Sequence, residues 1–180
     1  LALGCDLAAR SSNGSCAINF AAFGGSLPCL RWLLLDVATA DKPSAVDVNS
    51  ADDSGMTPLL LAVHKGHLEC VQFLLHVGAD SAAVTSAGLG ALHLACLAGH
   101  APLAKLLVKD GLDPNLPARD GRTPLHMSTA NKNLSLLQWL LHHGGNPALC
   151  DKTGSTLLGL TPQAAKEDVT AMLTAHEGMQ

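Results

Sequence analysis

Apolar and polar positions along the chain follow a pattern that repeats every 33 residues. Leucine-rich stretches recur at 70–75, 103–108 and 136–141, and each is preceded by a shorter apolar stretch. Apolar residues that recur three or four positions apart are typical of an amphipathic helix. The pattern therefore predicts pairs of short helices separated by polar turns.

Glycines and short phrases keep the same period. One glycine series recurs at intervals of 33 residues: Gly55, Gly88, Gly121 and Gly154. A second series stands ten residues before the next member of the first: Gly78, Gly111 and Gly144. Thr-Pro-Leu follows the turn glycine at 57–59 and again at 123–125, where His126 completes Thr-Pro-Leu-His. In these features the chain resembles ankyrin repeat proteins.

The resemblance implies an all-α fold, a solenoid of stacked helix-turn-helix units joined by β-hairpin-like finger turns. A single array is expected over residues 1–177. Its units are the tail of a truncated repeat (1–10), a repeat with an 8-residue insertion (11–51), three further repeats (52–84, 85–117 and 118–150) and a C-terminal capping repeat (151–177). The last unit is polar, as a terminal repeat requires. Because the first unit lacks its beginning, we expect the chain to be a portion of something longer.

The insertion lies within residues 36–44, where Asp, Thr, Lys, Pro and Ser dominate. We expect it to form an exposed loop, since such residues favour turns and solvent. A recognition element and a neutral bulge both remain open as interpretations. Deleting the insertion is expected to leave thermal unfolding nearly unchanged.

Repeat positions also predict the roles of individual residues. Thr57 and Thr123 are expected to cap the first helices of their repeats. Histidines at pattern positions are expected to link neighbouring turns through hydrogen bonds: His67, His93, His100 and His126. One position of the second helix is predicted to lie in the core between repeats: Trp32, Phe73, Leu106, Trp139 and Met172.

Composition and charge narrow the classes of function. Apolar residues make up 48% of the 180 residues and charged residues 14%, which excludes disorder of the whole chain. The net charge of −4 and the scarcity of aromatic residues predict that no nucleic acid is bound. Residues 81–104 carry no charge, but their glycines, histidines and proline fall in phase with the repeat. We therefore expect no membrane insertion.

The six cysteines include no Cys-x-x-Cys pair. A disulfide framework is typical of small secreted domains, and this chain has enough leucine to form a core without one. The cysteines are predicted to be free thiols of an intracellular, reducing compartment, either the cytoplasm or the nucleus. Cys29 and Cys70 share one apolar repeat position, and Cys96 lies on the packed side of a first helix. All three are expected to be buried.

No arrangement of residues predicts catalysis, a cofactor or a metal site. His142 and His143 are adjacent on a helix and therefore diverge by about 100°. Residues 110–115 lack the glutamate that closes a calcium loop. Asn49 and Asn115 stand in turns between repeats. The resemblance implies that an oxygenase could hydroxylate such asparagines, which would be a modification and not a function of the chain.

Two functions remain as hypotheses. The first is a non-catalytic module that binds a protein or peptide through its concave face and finger turns. The alternative is a regulatory ankyrin segment of a larger enzyme or channel, acting through intramolecular contacts. We expect a monomer, with association through the apolar N-terminal end as the open alternative.

Mapping by the repeat predicts the partner-binding residues, which flank the turn glycine or end the first helix. They are Asn13, Ser15, Phe23, Asp53, Met56, His64, Lys65, Ser86, Leu89, Leu97, Arg119, Arg122 and Asn131. Phe23, Met56, Leu89 and Leu97 are expected to line up as an apolar strip. Asp53 and Arg122 are expected to flank it with opposite charges.

Overall fold

The computed structural model describes residues 7, 9–36, 46–130 and 133–177, with the side chains of residues 130, 176 and 177 left out. The chain divides into two compact units, Leu1–Ser86 and Ala87–Gln180, called unit 1 and unit 2. Apart from Asp36, the predicted insertion loop lies outside the described residues, and so does Asn131. The fold of the described residues is all-α, as predicted, and they contain no extended β-strand.

Unit 1 consists of two helix pairs. The elements are α1 (Ala17–Phe23), α2 (Leu27–Arg31), a π-helical turn that continues α2 (Trp32–Asp36), α3 (Pro58–Lys65) and α4 (Leu68–His76). Helix α1 packs on α2 and α3, and α4 packs on α2 and α3. Each pair therefore buries its apolar side against the next pair, which a single pair could not do alone.

Unit 2 continues the alternation of a first and a second helix. Its elements are α5 (Ala91–Ala98), α6 (Ala101–Lys109), α7 (Pro124–Ala130), α8 (Leu134–His142), α9 (Leu157–Leu160), a 3₁₀ turn (Gln163–Ala165) and α10 (Lys166–Glu177). Helix α7 packs on α5, α8 and α9, and α10 packs on α8. The first helix of the C-terminal repeat, α9, is only 4 residues long. Pro162 follows it closely, and proline cannot continue a hydrogen-bonded helix.

The predicted signals at both ends of α3 are confirmed, whereas the hydroxyl of Thr123 contacts a histidine ring instead of a backbone N–H. The hydroxyl oxygen of Thr57 accepts a hydrogen bond from the backbone N–H of Leu60 at 3.3 Å, and Pro58 occupies the first helical position. Gly66 ends α3 in the left-handed region, at φ +82°. The hydroxyl of Thr123 lies 2.9 Å from Nδ1 of His126.

The core of the second helices is offset by one residue from the predicted row. Trp32 is 51% exposed, and the other members of that row, Phe73, Leu106, Trp139 and Met172, are half-buried. The prediction that they form the inter-repeat core was wrong. The residues that follow four of them fill that core: Leu33, Leu74, Leu107 and Leu140. One residue further along a helix turns the side chain by about 100°, which moves it from the side of the helix to the packed face.

Two residues of the row that was predicted to form the core, Phe73 and Trp139, contact cations instead. The guanidinium of Arg31 lies 5.7 Å from the ring centre of Phe73 in unit 1, and the ammonium of Lys105 lies 5.7 Å from that of Trp139 in unit 2. These distances are typical of cation–π contacts at exposed sites, which are worth about 0.5–1 kcal/mol. Phe73 and Trp139 therefore contact cations beside the core instead of forming it.

The described cysteines are free thiols, as predicted: Cys16, Cys29, Cys70, Cys96 and Cys150. Cys70 and Cys96 are buried, but Cys29 is exposed, so its predicted burial was wrong. Burial raises the pKa of the Cys96 thiol to about 12 and also raises that of Cys70. These two thiols are therefore protonated at neutral pH and poor nucleophiles.

Candidate partner-binding surface

Short polar turns precede the first helices, and we call them finger turns. Four of them close by the same hydrogen bond, from the backbone N–H of the first residue to the carbonyl of the fifth, over residues 11–15, 52–56, 118–122 and 151–155. In two of the turns the first residue is an aspartate, and its side chain accepts two further backbone hydrogen bonds. Oδ1 of Asp52 accepts hydrogen bonds from N–H of Ser54 and Met56, and Oδ1 of Asp151 does the same for Thr153 and Ser155. The turns are hairpin-like and locally fixed.

Successive finger turns bond to each other within each unit. The donor and acceptor residues are Asp53 to Asn13 (3.1 Å) and Ser86 to Ser54 (2.8 Å) in unit 1, and Arg119 to Ala87 (3.0 Å) and Lys152 to Asp120 (2.9 Å) in unit 2. Gly121 shows why this spacing needs glycine. Its φ is +86°, and a Cβ there would lie 2.8 Å from the backbone nitrogen of Lys152. A side chain would therefore push the neighbouring turn away.

At one position of the first helices, a polar side chain in each unit ties its finger turn to the next repeat. Oδ1 of Asn19 accepts from N–H of Cys16 at 3.0 Å, while Nδ2 donates to the carbonyl of Ser50 at 2.9 Å and to that of Met56 at 3.3 Å. Nδ1 of His93 accepts from N–H of Gly90 at 3.2 Å, and its Nε2 lies 3.2 Å from the carbonyl oxygen of Arg122. The asparagine and the histidine thus make equivalent contacts, one in each unit.

The histidines at the pattern positions are mainly structural. Nε2 of His67 lies 3.0 Å from the carbonyl oxygen of Phe23, so the predicted linking role is confirmed for His67 and His93. Nδ1 of His126 accepts from N–H of Thr123 at 3.1 Å, but its Nε2 is buried without a hydrogen-bond partner. Burial lowers the pKa of both His93 and His126, so both rings are neutral at pH 7. No group of three metal-ligating side chains occurs among the described residues.

Unit 1 carries a groove of about 270 Å³ beside its finger turns, which we call the aromatic groove. Its lining residues are Asn13, Ser15, Asn19, Phe20, Phe23, Asp52 and Leu61. Phe20 is 58% exposed and Phe23 is 48% exposed, whereas Leu61 is buried. The ammonium of Lys65 lies 4.4 Å from the ring centre of Phe23. The groove therefore combines two open aromatic rings with a carboxylate at its edge.

Most of the predicted partner-binding residues of unit 1 are accessible. The exposed ones are Asn13, Phe23, Asp53, His64, Lys65 and Ser86, and Met56 is half-buried. Ser15 is only 6% exposed, although it is one of the lining residues of the aromatic groove. The short serine side chain stays below its neighbours, at a repeat position where the longer Met56 reaches the surface.

In unit 2 the predicted residues are less open. Arg119 is exposed, while Leu89, Leu97 and Arg122 are half-buried. Nε of Arg122 lies 3.5 Å from Oδ2 of Asp120 and 3.5 Å from Oδ2 of Asp151. Hydrogen bonds from the hydroxyl of Thr153 and the backbone of Ser155, with a smaller contribution from Arg122, lower the pKa of Asp151 to about 2. The guanidinium of Arg122 thus lies near one carboxylate of its own finger turn and one of the next turn, and it is not a free charge.

Sequence reasoning missed Phe20 and Asp52 as lining residues. Phe20 holds a repeat position that is buried at Leu61, Leu94 and Met127, so the period alone predicts a core residue. The only signal was the type of side chain, an aromatic ring where the other repeats have aliphatic residues.

A family model described as ankyrin repeats in three copies matches residues 1–85 and again residues 81–152. The chain belongs to the ankyrin repeat family. Ankyrin repeats indicate a protein-interaction module. No helix among the described ranges is long and apolar enough to cross a membrane.

Similar curated proteins include plant proteins named as ubiquitin ligases. "Probable E3 ubiquitin-protein ligase XBOS32" of Oryza sativa subsp. japonica is 37% identical, over 41% of this chain and 19% of the relative. From Arabidopsis thaliana, "E3 ubiquitin-protein ligase XBAT33" is 33% identical over 40% of this chain and 18% of the relative. The Arabidopsis "E3 ubiquitin-protein ligase XBAT32" is 37% identical over 41% and 18%. The match thus covers about a fifth of the length of these relatives.

Proposed function

We propose that this ankyrin repeat chain binds a protein or peptide partner through its finger turns and the adjoining ends of its first helices. The observation that carries the proposal is the aromatic groove, where Phe20 and Phe23 are each about half exposed. Aromatic side chains in a pocket are the usual anchors of protein interfaces, and polar rims surround them. The carboxylate of Asp52 and the amide of Asn13 provide such a rim here.

The proposed binding residues are the accessible members of the predicted set, together with two lining residues of the groove. They are Asn13, Phe20, Phe23, Asp52, Asp53, Met56, His64, Lys65 and Ser86 in unit 1, and Leu89, Leu97, Arg119 and Arg122 in unit 2. The chemistry supplied is recognition alone, without catalysis, cofactor or metal. We propose that the chain acts as a monomer and binds neither nucleic acid nor the membrane interior.

A second candidate is a regulatory or recruiting segment within a larger enzyme. The similarity to named ubiquitin ligases supports it, because the matched stretch is a small part of those proteins. In that case the proposed surface binds the enzyme's substrate or another part of the same polypeptide. Cross-linking from Lys65 in the full-length protein separates the cases, since an intramolecular partner gives cross-links within one polypeptide.

The test of the proposed surface is the double variant Met56→Ser with Leu89→Ser. Partners captured from lysate by the chain are expected to bind at least about 1–2 kcal/mol more weakly, while the melting temperature barely changes. The control is Leu68→Ser with Leu116→Ser, which removes one exposed apolar side chain from each unit outside the finger turns. Unfolding of the test variant would mean that Met56 and Leu89 are core. Unchanged binding would place the interface elsewhere.

A further inference from the structure

We infer that the aromatic groove of unit 1 accepts a basic–aliphatic segment of a partner protein. One aliphatic side chain would insert between Phe20 and Phe23 above Leu61, and an adjacent lysine or arginine would pair with Asp52 and Asp53. The inference rests on the proposed function and names the chemistry of its partner.

The lining of the groove favours an aliphatic side chain, and its volume is small for a ligand site. Small-molecule sites usually enclose about 300–1,000 Å³, and the aromatic groove, at about 270 Å³, falls below that range. Its apolar surface comes from the two half-exposed rings and from the buried Leu61 beneath them. An aliphatic side chain would cover this surface without bringing an unpaired polar group into it.

The charges of unit 1 favour a basic neighbour for that side chain. Residues 1–86 contain 8 acidic and 4 basic residues, whereas residues 87–180 contain 7 of each. Asp52 lines the groove and Asp53 follows it on the same finger turn. No ion pair involves either carboxylate among the described residues of unit 1. A partner's cation would therefore meet two carboxylates that form no ion pair with these residues, although Oδ1 of Asp52 accepts hydrogen bonds within its turn.

The nearby cations of unit 1 are committed to other contacts. The guanidinium of Arg10 donates to the carbonyls of Gly14 and Ala51, both at 2.8 Å. Lys65 lies over the ring of Phe23 at 4.4 Å. That contact also shows that a ring of this groove accepts a cation, and the ring of Phe20 has no such cation among the described residues. A partner's lysine or arginine could therefore reach a carboxylate while its stem covers Phe20.

The test selects peptides from a phage-displayed library of random 12-residue sequences against the full chain. We expect enriched sequences to carry Leu, Ile, Val or Met within two positions of Lys or Arg. A synthetic peptide of the enriched sequence is expected to bind Phe20→Ala at least tenfold more weakly than the parent chain. Phe20→Leu, which restores the residue type of Leu61 at this repeat position, is expected to lose binding only partly.

The proposed pairing of a partner's lysine or arginine with the two carboxylates is tested with the double variant Asp52→Asn, Asp53→Ser. Asparagine keeps an acceptor for the finger turn, and serine is the residue that Ser86 supplies at the position of Asp53. We expect a three- to tenfold loss of affinity for the selected peptide and a weaker dependence on salt, because screening acts on the removed charges. Trp32→Ala, which removes a ring of similar exposure outside the groove, is expected to change affinity less than twofold.

Several results would overturn the inference. They are the absence of enriched sequences, enrichment of acidic or uncharged sequences, and equal binding by Phe20→Ala with its circular dichroism spectrum intact. If a second copy of the chain occupied the aromatic groove, sedimentation would show a mass that increases with concentration, and Phe20→Ala would abolish the increase. That result would also refute the inference. If binding depends on Met56 and Leu89 but not on Phe20, the inference fails while the proposed function stands. If lysate partners ignore all of these variants, the proposed function fails too.

Discussion

Phe20 of unit 1 and Leu94 of unit 2 hold the same repeat position, yet the ring of Phe20 is mostly exposed and Leu94 is buried. Met127, one repeat further on, is buried as well. The aspartates at one position of the finger turns also differ between the units in their ion pairs. Asp52 forms no ion pair with the described residues of unit 1, whereas its equivalent in unit 2, Asp151, lies 3.5 Å from Arg122.

The comparison shows that one repeat frame can serve two purposes. In unit 2 Arg122 lies near Asp120 and Asp151, and Leu94 and Met127 are packed at the position of Phe20, so these residues stabilise the fold. In unit 1 the ring of Phe20 is exposed and the carboxylate of Asp52 forms no ion pair with the described residues, although Leu61, at the repeat position of Phe20, is buried. Exposed apolar surface has a cost unless it is used, and we therefore assign partner recognition mainly to unit 1.

The largest expected effect separates packed from open positions. Leu94→Ala is expected to lower the free energy of unfolding by about 2–5 kcal/mol, because it leaves a cavity in a packed helix pair. Phe20→Ala is expected to cost less than about 1 kcal/mol, since much of its ring is already in water. Urea unfolding followed by circular dichroism measures both. Equal losses would mean that Phe20 is a core residue and that the two units do not differ here.

The next effect compares a stacked finger turn with one that has open space around it. Gly121 and Gly154 both have positive φ, +86° and +77°, but only at Gly121 would a Cβ meet another turn within 4 Å. Alanine at either position is expected to cost about 1–2 kcal/mol from backbone strain. Gly121→Ala is expected to cost more, because Lys152 must move. Thermal unfolding of the two variants measures this difference. Equal melting temperatures would mean that the contact between neighbouring finger turns contributes little to stability.

A smaller effect concerns pH and the position that holds His93 in unit 2 and Asn19 in unit 1. Burial lowers the pKa of His93 and His126 in the folded state. Below their ordinary pKa of about 6.5 the unfolded chain binds more protons, so the free energy of unfolding falls as the pH drops from 7 to 5. His93→Asn with His126→Asn is expected to flatten this dependence while keeping the fold.

Asn19 provides the precedent for that substitution, because it makes the same two kinds of hydrogen bond. Urea titrations at several pH values measure the slope. An unchanged slope in the double variant would mean that the two histidines are not the groups that lose stability in this range. A second decline, as Asp151 protonates between about pH 4 and 2, is expected to persist in the variant.

The smallest effect concerns the ion pairs of unit 2. Arg122→Met introduces the residue that unit 1 carries at this repeat position, Met56. The guanidinium is partly exposed and its ion-pair distances are long, so we expect a change of at most about 1 kcal/mol in the free energy of unfolding. A larger loss in urea unfolding would mean that these charges, rather than packing, hold the finger turns of unit 2 together.

The period of the sequence predicted what is common to the repeats and missed what is particular to one of them. Thr57, Gly66 and the linking histidines follow from residue types at fixed spacing, because caps and turns are local. The exposure of Phe20 and Cys29 does not follow, because periodicity gives the face of a helix but not what covers it. The row that includes Trp32 was misplaced for a related reason: two adjacent apolar residues differ in direction by about 100°.

The measurement that tests recognition by unit 1 most directly is amide hydrogen exchange of the full chain with and without the selected peptide. We expect slower exchange in the finger turns and first helices of unit 1, over residues 11–25 and 52–65, with no change in α6 and α8. Slower exchange confined to residues 87–155 would contradict the assignment of recognition to the aromatic groove, and it would move the partner surface to unit 2.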